Sequence, residues 1–492
     1  MLKTAATDWR LIAEPLDLAV DAVTLFSALF GEKEDRFWLD SARDGHALAQ
    51  YSYMGMLSAS RHSAKLTYRV GSEGVQIKAA NGEIEFITGD IFQYLRTNIS
   101  AKLVGGDPVP FPFCGGYVGY LGYELGAEIN AQPSPQSPVA DASLLFVDRF
   151  IVLDHRGGKA WTAALVADDA CENEVRAWSA AIRASAALLS PQHLTEPSSL
   201  PNGSVPIVFQ PRHSRAAYMS NINAALDYIA GGETYQLCLT TQWQTDTNVN
   251  AFDAYRALRH VNPAPFGAFF DFGNLQILSA SPERFLSIAA NGAMQARPLN
   301  GTIARGSTLE QDDVLRKTLS NSEKDNAENL MIVDLLRNDL AKFAVAGSIR
   351  VSQLATVETY QTLHQMVSVI EGQISPDAHP IDVIRAAFPG GSMTGAPKHH
   401  SMAILSDLED GPRGPYAGAI GYISVDGAID LNIVIRTIVI SDGVASIGSG
   451  GAIIAGSNAE DEYQEMLLKA RPQMAALALA ITGNGDAYDF ES

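Results

Sequence analysis

Three cysteines in 492 residues, at 114, 171 and 238, are too few and too scattered for a disulfide framework or a thiolate metal site, so a reducing compartment is expected. Positive charge is also short: 35 Lys and Arg face 55 Asp and Glu, for a net charge of −20. A nucleic-acid partner is therefore not expected, because a phosphate backbone requires a basic face. Any anionic ligand must be met by a local gathering of cations. Long apolar runs are missing as well. No uninterrupted stretch reaches the roughly 18 residues that span a bilayer, so no membrane partner is expected. Asp8 and Glu14 break up the first residues, which do not read as a signal peptide. These absences together predict a cytoplasmic protein.

What is present is an ordinary globular composition, with 47% hydrophobic residues, 18% charged residues and 41 glycines. The segment SPQHLTEPSSLPNGSVP is rich in Ser and Pro and poor in periodic apolar residues, which predicts a linker over 190–206. It separates an N-terminal subdomain, 1–189, from a second one, 207–480. In the first, RFWLD, AKLTYRV and SLLFVDRFIVLD read as strands and Glu174 to Leu189 as a helix. In the second, Arg215 to Ala230 reads as a helix and TYQLCLTTQW, LQILSASPERFLSI and GAMQARPL as strands. A long helix opens at Ser322 with Asp325 in a capping arrangement. AGAIGYISV, AIDLNIVIRTIVI and VASIGSGGAII follow as strands, and a last helix begins near Ala459. No internal repeat is present.

Several segments have residue types suited to anion or metal chemistry. RPLNGTIARG, 297–306, sets Asn300 among two Arg and two Gly; it reads as an anion-holding loop or as a plain surface turn. Asp325 and Glu328 are three apart on one helix, and so are Glu462 and Glu465 on another, with Lys469 four further along. Each set shares a helical face. If the faces meet they make an all-oxygen site for Mg²⁺; otherwise the acids merely complement the helix dipoles, as Ser457 and Glu460 do in a capping box. FPGGSMTGAPK, ending in Lys398, is a Gly-rich cradle for a carboxylate without the order of a nucleotide loop. Arg436 lies inside an apolar run and, if buried, needs a partner: a ligand carboxylate or an Asp or Glu of the chain. Glu283 reads as a general acid or a surface carboxylate, and His364 as a catalyst or a satisfied histidine.

SPERF, PLNGTIARG, AENLMIVDLLRNDL, FPGGSMTGAPK, YAGAIGY, DLNIVIRT and GSGGAII…EYQEMLLKA, in this order, resemble the chorismate-utilising enzymes. These include component I of anthranilate synthase and of aminodeoxychorismate synthase, isochorismate synthase and salicylate synthase. FWLDS, QYSYMG and PFCGGYVGYLGYE extend the resemblance to the amino-transferring members. It implies an α+β fold, a large two-sheet β-sandwich flanked by helices. It also implies Mg²⁺ on Glu328 and Glu465, with Asp325 and Glu462 acting through water. Tyr416, Arg436, Gly450, Gly451, Lys469 and Lys398 would hold substrate, Glu283 would help the C4 hydroxyl leave, and Thr302 and His364 would border the ring. Ala452 stands where a third glycine is usual.

Within that family, the position where water-activating members have Lys is Gln236, an amide that cannot serve as the base, which implies ammonia as nucleophile. The chain shows no glutaminase, so a glutamine amidotransferase partner is implied. Aminodeoxychorismate synthases have Lys in PIKGT and anthranilate synthases Ala in PIAGT; Asn300 is neither. The wider texture resembles the aminodeoxychorismate branch and predicts 4-amino-4-deoxychorismate as product. Amination at C2, giving aminodeoxyisochorismate or anthranilate, is the alternative, and a catalytically weak paralogue that binds chorismate or tryptophan is a third. A tryptophan pocket in such relatives corresponds to Ser41, Tyr51, Ser52, Asn262 and Pro263 here, with Gly267 in place of a bulkier residue.

Overall fold

The computed structural model describes residues 8–31, 33–41, 48–99, 103–190, 205–360 and 363–490. Most of the expected linker, residues 191–204, lies outside the described residues. Alternating apolar residues build two large, mainly antiparallel sheets of 14 and 12 strands. The strand Arg36–Asp40 shows how. Phe37 and Leu39 point into one cluster with Tyr53, Phe150, Tyr120 and Tyr422, which lies between the sheets. Trp38, facing the other way, joins a second cluster beneath the helices Ala22–Phe30, Arg215–Ala230, Ala251–Val261 and Ala459–Thr482. A third cluster lies between the smaller sheet and the helices Ile91–Asn98, Glu323–Ala341 and Pro380–Ala387. The result is the expected α+β sandwich flanked by helices.

Both sheets draw strands from either side of the 190–206 segment. In the larger, Phe266–Asp271 pairs with Arg36–Asp40; in the smaller, Ala419–Ser424 pairs with Gly116–Leu121. No helix among the described residues is long and apolar enough to cross a membrane.

Helix Arg215–Ala230 matches its sequence pattern, and Ser322 caps Glu323–Ala341 through Asp325 N. One boundary and one cap differ. The helix expected from Glu174 begins at Asp169, because Asp168 caps it by accepting from Cys171 N. The last helix is capped by Asn458, which accepts from Glu460 N and Asp461 N, while Ser457 instead accepts from Ile454 N. The capping box read at Ser457 and Glu460 is therefore replaced by an Asn cap, which holds two orphan amides with one oxygen.

One buried ion pair joins several of these parts. Arg413 donates to both carboxylate oxygens of Glu409 (2.7 and 2.6 Å), to Met393 O and to Cys238 O, and lies over the Tyr123 ring. Glu409 also accepts from Thr240 N and Oγ1. Helix Lys398–Glu409, strand Gln236–Asp246 and the Gly-rich segment thus share one anchor. Removing Arg413 leaves the Glu409 charge buried without a countercharge, held only by Thr240, so Arg413→Met should cost about 3–5 kcal/mol. Urea unfolding should show a lowered midpoint, and adding Glu409→Gln should recover part of the loss.

Candidate active site

The run LQILSASPERFLSI is not one strand. Leu275–Ser281 belongs to the larger sheet and Arg284–Ile288 to the smaller, with Glu283 at the crossing. AIDLNIVIRTIVI divides in the same way, into Ile429–Ile433 and Thr437–Ser441, with Arg436 at the break. The two crossings are bonded to each other: Ile433 N donates to Glu283 O (3.0 Å) and Ala280 N to Arg436 O (3.1 Å). Ser281 Oγ adds a bond to Ile433 O (2.6 Å). Arg436 adopts φ 54°, a left-handed conformation that costs a non-glycine residue about 1–3 kcal/mol.

Glu283 is buried, and its carboxylate accepts from Ser392 Oγ (2.9 Å). Burial pushes its carboxyl up to about 7, although Ser392, a Leu299 backbone N–H and the Lys469 charge all pull it down. The Gly-rich segment does hold a carboxylate through Ser392, but that carboxylate is the chain's own. Arg436 donates from Nη1 to Lys469 O (2.8 Å), and no carboxylate among the described residues forms an ion pair with it. Its burial disfavours the charge, leaving a half-buried guanidinium suited to an incoming anion. The Tyr416 ring lies flat against Gly448, where an added Cβ would come within 2.2 Å of it.

The two acidic helix starts do meet. Lys324 Nζ pairs with Glu462 Oε1 (2.6 Å), and Lys469 Nζ pairs with Glu465 Oε1 (2.7 Å) and donates to Gly450 O (3.2 Å). A Cβ placed on Gly451 would lie 3.6 Å from Glu462 Oε2, 3.6 Å from Lys469 Nζ and 3.9 Å from Glu465 Oε1, so these groups converge over its bare backbone. Burial, Glu465 and Asp325 raise the Glu328 carboxyl to about 7 against the pull of Lys469 and Lys324. Burial also pushes Glu465 up, but Lys469, Lys324 and Arg436 outweigh it and hold that carboxyl below its ordinary range. Among the described residues no three His, Cys, Asp or Glu side chains form a finished metal cage. Yet Glu462 Oε2 is buried without a hydrogen-bond partner, and an ammonium already occupies the other oxygen. Such an all-oxygen set fits a hard divalent ion that keeps water or ligand oxygens in its shell.

Asn300 belongs to strand Leu299–Ala304 rather than to a free loop. Its Nδ2 donates to Asp325 O (3.0 Å) and its Oδ1 accepts from Gly301 N (2.9 Å), so the amide ties this strand to the first turn of the acidic helix. Gly301 sits at φ 57°, and a Cβ there would come within 2.8 Å of the Asp325 carboxylate. The two arginines of the stretch are already committed, Arg297 to Glu358 and Arg305 to Asp312. The anion-holding reading of RPLNGTIARG therefore does not stand for those side chains.

Other sequence candidates are placed differently. His364 is fully buried, with Nδ1 bonded to Thr359 Oγ1 and Nε2 to Asp312 Oδ1. Lys398 is buried on Asp339 and Ala387 O, which engages its ammonium inside the fold. Thr302 is exposed and accepts from Gln365 Nε2 (2.8 Å). Gln236 is buried with Nε2 unpartnered. Near the N-terminal end, Ser41 Oγ donates to Tyr51 O, and Ser52 Oγ bonds to Asp40 and His155. Tyr255 and Arg259 also donate to Asp40, from the helix whose C-terminal cap is Asn262, followed by exposed Pro263. A Cβ on Gly267 would come within 2.9 Å of Tyr255 Oη. Ser392 was read in the sequence as part of a carboxylate cradle, and its hydroxyl does hold one, that of Glu283; Lys324 was not legible in advance, because its partner, Glu462, lies in a distant part of the chain.

Residues 36–475 match the family model described as chorismate binding enzyme. The chain belongs to this family. Among its relatives is the aminodeoxychorismate synthase of Streptomyces griseus, 44% identical over 96% of this chain and 65% of that protein. Anthranilate synthase component 1 of Acetivibrio thermocellus is 32% identical over 97% of each. The crystal structure of anthranilate synthase component I from Streptococcus pneumoniae TIGR4 superposes with a TM-score of 0.72 at 28% identity, covering 86% of this chain and 92% of that one. The chain spans about half to two thirds of the length of the first curated relatives it matches.

Folded Glu283 titrates near 7, whereas an unfolded Glu titrates near 4.3. The folded chain therefore holds the extra proton in that window, and this group lowers stability as pH rises through it. Glu283→Gln should gain on the wild type in unfolding midpoint between about pH 5 and about pH 8. Ser392→Ala, which removes a hydrogen bond to the charged form, should move the Glu283 titration still higher. ¹³C NMR of labelled glutamate, differenced against the matching Glu283→Gln protein, reads the shift; an unmoved or lowered midpoint contradicts it.

Proposed function

We propose that this chain aminates chorismate at C4 to give 4-amino-4-deoxychorismate, the reaction of an aminodeoxychorismate synthase component I. The observation that carries this reading is the pair of linked crossings. They hold a carboxyl that keeps its proton near neutrality and, on the neighbouring crossing, a guanidinium that forms no ion pair with a carboxylate among the described residues. An anion that must lose a hydroxyl calls for both groups. Arg436, Tyr416, Lys469 and the Gly450–Gly451 backbone would bind the enolpyruvyl carboxylate. Glu283 would give its proton to the C4 hydroxyl, which departs as water while ammonia takes its place. Glu328 and Glu465 would hold Mg²⁺ directly, with Asp325 and Glu462 acting through water; the ion would neutralise the ring carboxylate. The names of the S. griseus relative and of several others favour C4.

Ammonia would come from a separate glutamine amidotransferase in the same cytoplasmic compartment. Burial pushes Cys114 up to about 12 and Cys238 up to about 11, and also raises Cys171, so none offers the thiolate that glutamine hydrolysis needs. With both ends of its amide engaged by the main chain, Asn300 would position the acidic helix rather than add to the ring.

Two observations favour a second reading: Asn300 is not the lysine of the covalent C4 route, and anthranilate synthase component 1 of A. thermocellus matches over 97% of both chains. The product formed from chorismate, Mg²⁺ and ammonium decides between them. Chromatography should show 4-amino-4-deoxychorismate; anthranilate would establish the C2 reading instead. Glutamine should not replace ammonium, and Glu465→Gln should abolish turnover. Intact-protein mass spectrometry during turnover should show no adduct of the chorismate skeleton.

A further inference from the structure

Lys324 stands in the first turn of helix Glu323–Ala341, where the positive end of the helix dipole disfavours a cation. What holds it there lies on another helix: its Nζ is 2.6 Å from Glu462 Oε1, in the first turn of Ala459–Thr482. The two partners differ sharply in exposure. The Glu462 side chain is 2% exposed and that of Lys324 38%, so the ammonium reaches a buried carboxylate from the solvent side and has a way back out. The second oxygen, Glu462 Oε2, is buried without a partner and faces the bare Gly451 backbone beside Glu465 Oε1 and Lys469 Nζ. Burial works against the Lys324 charge, but Glu462, Glu465 and Glu328 together more than restore it, so it feels all three carboxylates.

We propose that Lys324 is a built-in counterion of the acidic cluster, seated on Glu462 while the cluster is empty and competing there with the divalent ion. Two helix N-termini and two ammoniums, Lys324 on Glu462 and Lys469 on Glu465, balance three carboxylates that would otherwise repel one another. An arriving divalent cation takes over that balance, and the half-exposed lysine is released toward solvent. The cluster thus stays folded without metal, at the expense of metal affinity. This inference rests on the reading of the carboxylates as the metal site. It goes further by assigning a role to a residue that need touch neither metal nor substrate.

The test is Mn²⁺ binding to the substrate-free protein, read from the loss of the free-ion EPR signal. Lys324→Met and Lys324→Gln should bind Mn²⁺ on the order of 10-fold or more tightly than the wild type, the scale of removing one close competing charge, and Lys324→Arg should not. The same two variants should melt earlier than the wild type without metal and gain more in melting temperature when Mg²⁺ is added, which also reports that they fold. Unchanged or weaker Mn²⁺ binding in both, with the wild type binding in a manner lost in Glu465→Gln, overturns the role of Lys324 alone. If the wild type shows no binding that Glu465→Gln removes, the metal-site reading falls and takes this inference with it.

Discussion

Two backbone hydrogen bonds, Ile433 N to Glu283 O and Ala280 N to Arg436 O, fix the geometry on which the site depends. Each lies where a chain segment leaves one sheet for the other, and each joins one crossing to its neighbour. A sheet interior presents side chains at fixed intervals to one face or the other. A crossing instead releases a side chain from that alternation and directs it to the rim of both sheets. Glu283 and Arg436 have such places, and because their crossings are bonded they cannot move independently. Around them the Gly-rich segment supplies Ser392, and Arg413 holds the carbonyl of the next residue, Met393.

The net charge of −20 makes this local order necessary. On the proposed reading a dianion approaching this acidic surface needs a small region of opposite sign, which Arg436, Lys469 and two helix N-termini would supply. The carboxylates among them keep the cations from repelling one another. Burial then divides similar groups into unlike roles. Glu328 and Glu283 are pushed toward neutrality, while Glu465 beside Lys469 stays charged.

Much of this was legible in the sequence, but only where the determining contacts were local. Helix Arg215–Ala230 and the start at Ser322 follow from apolar period and cap chemistry within a few residues. The carboxylates at Asp325, Glu328, Glu462 and Glu465 were visible because their spacing repeats on two helices. The crossings were not, since an apolar run that changes sheets looks like a run that stays in one. Pro282 and Arg436 were the available signals, because each interrupts a strand pattern for which it is ill suited. The engagement of His364 by Asp312, of Lys398 by Asp339 and of Asn300 by Asp325 O depends on partners brought up by the fold. A residue type suggests what a side chain can do, and only its neighbours decide whether that capacity is already spent.

The pairing of early and late strands in both sheets has a consequence for the making of the protein. Strand Arg36–Asp40 emerges from the ribosome long before Phe266–Asp271, and Gly116–Leu121 longer still before Ala419–Ser424. At synthesis speeds of about 5–20 residues per second, the first of these edges waits roughly ten to fifty seconds for its partner. During that interval the nascent chain carries open sheet edges and uncovered aromatic faces such as those of Phe37 and Trp38. Neither half can finish its own sheet, so the chain commits to its fold late, and its hazard on the way is misplaced strand pairing rather than slow helix formation.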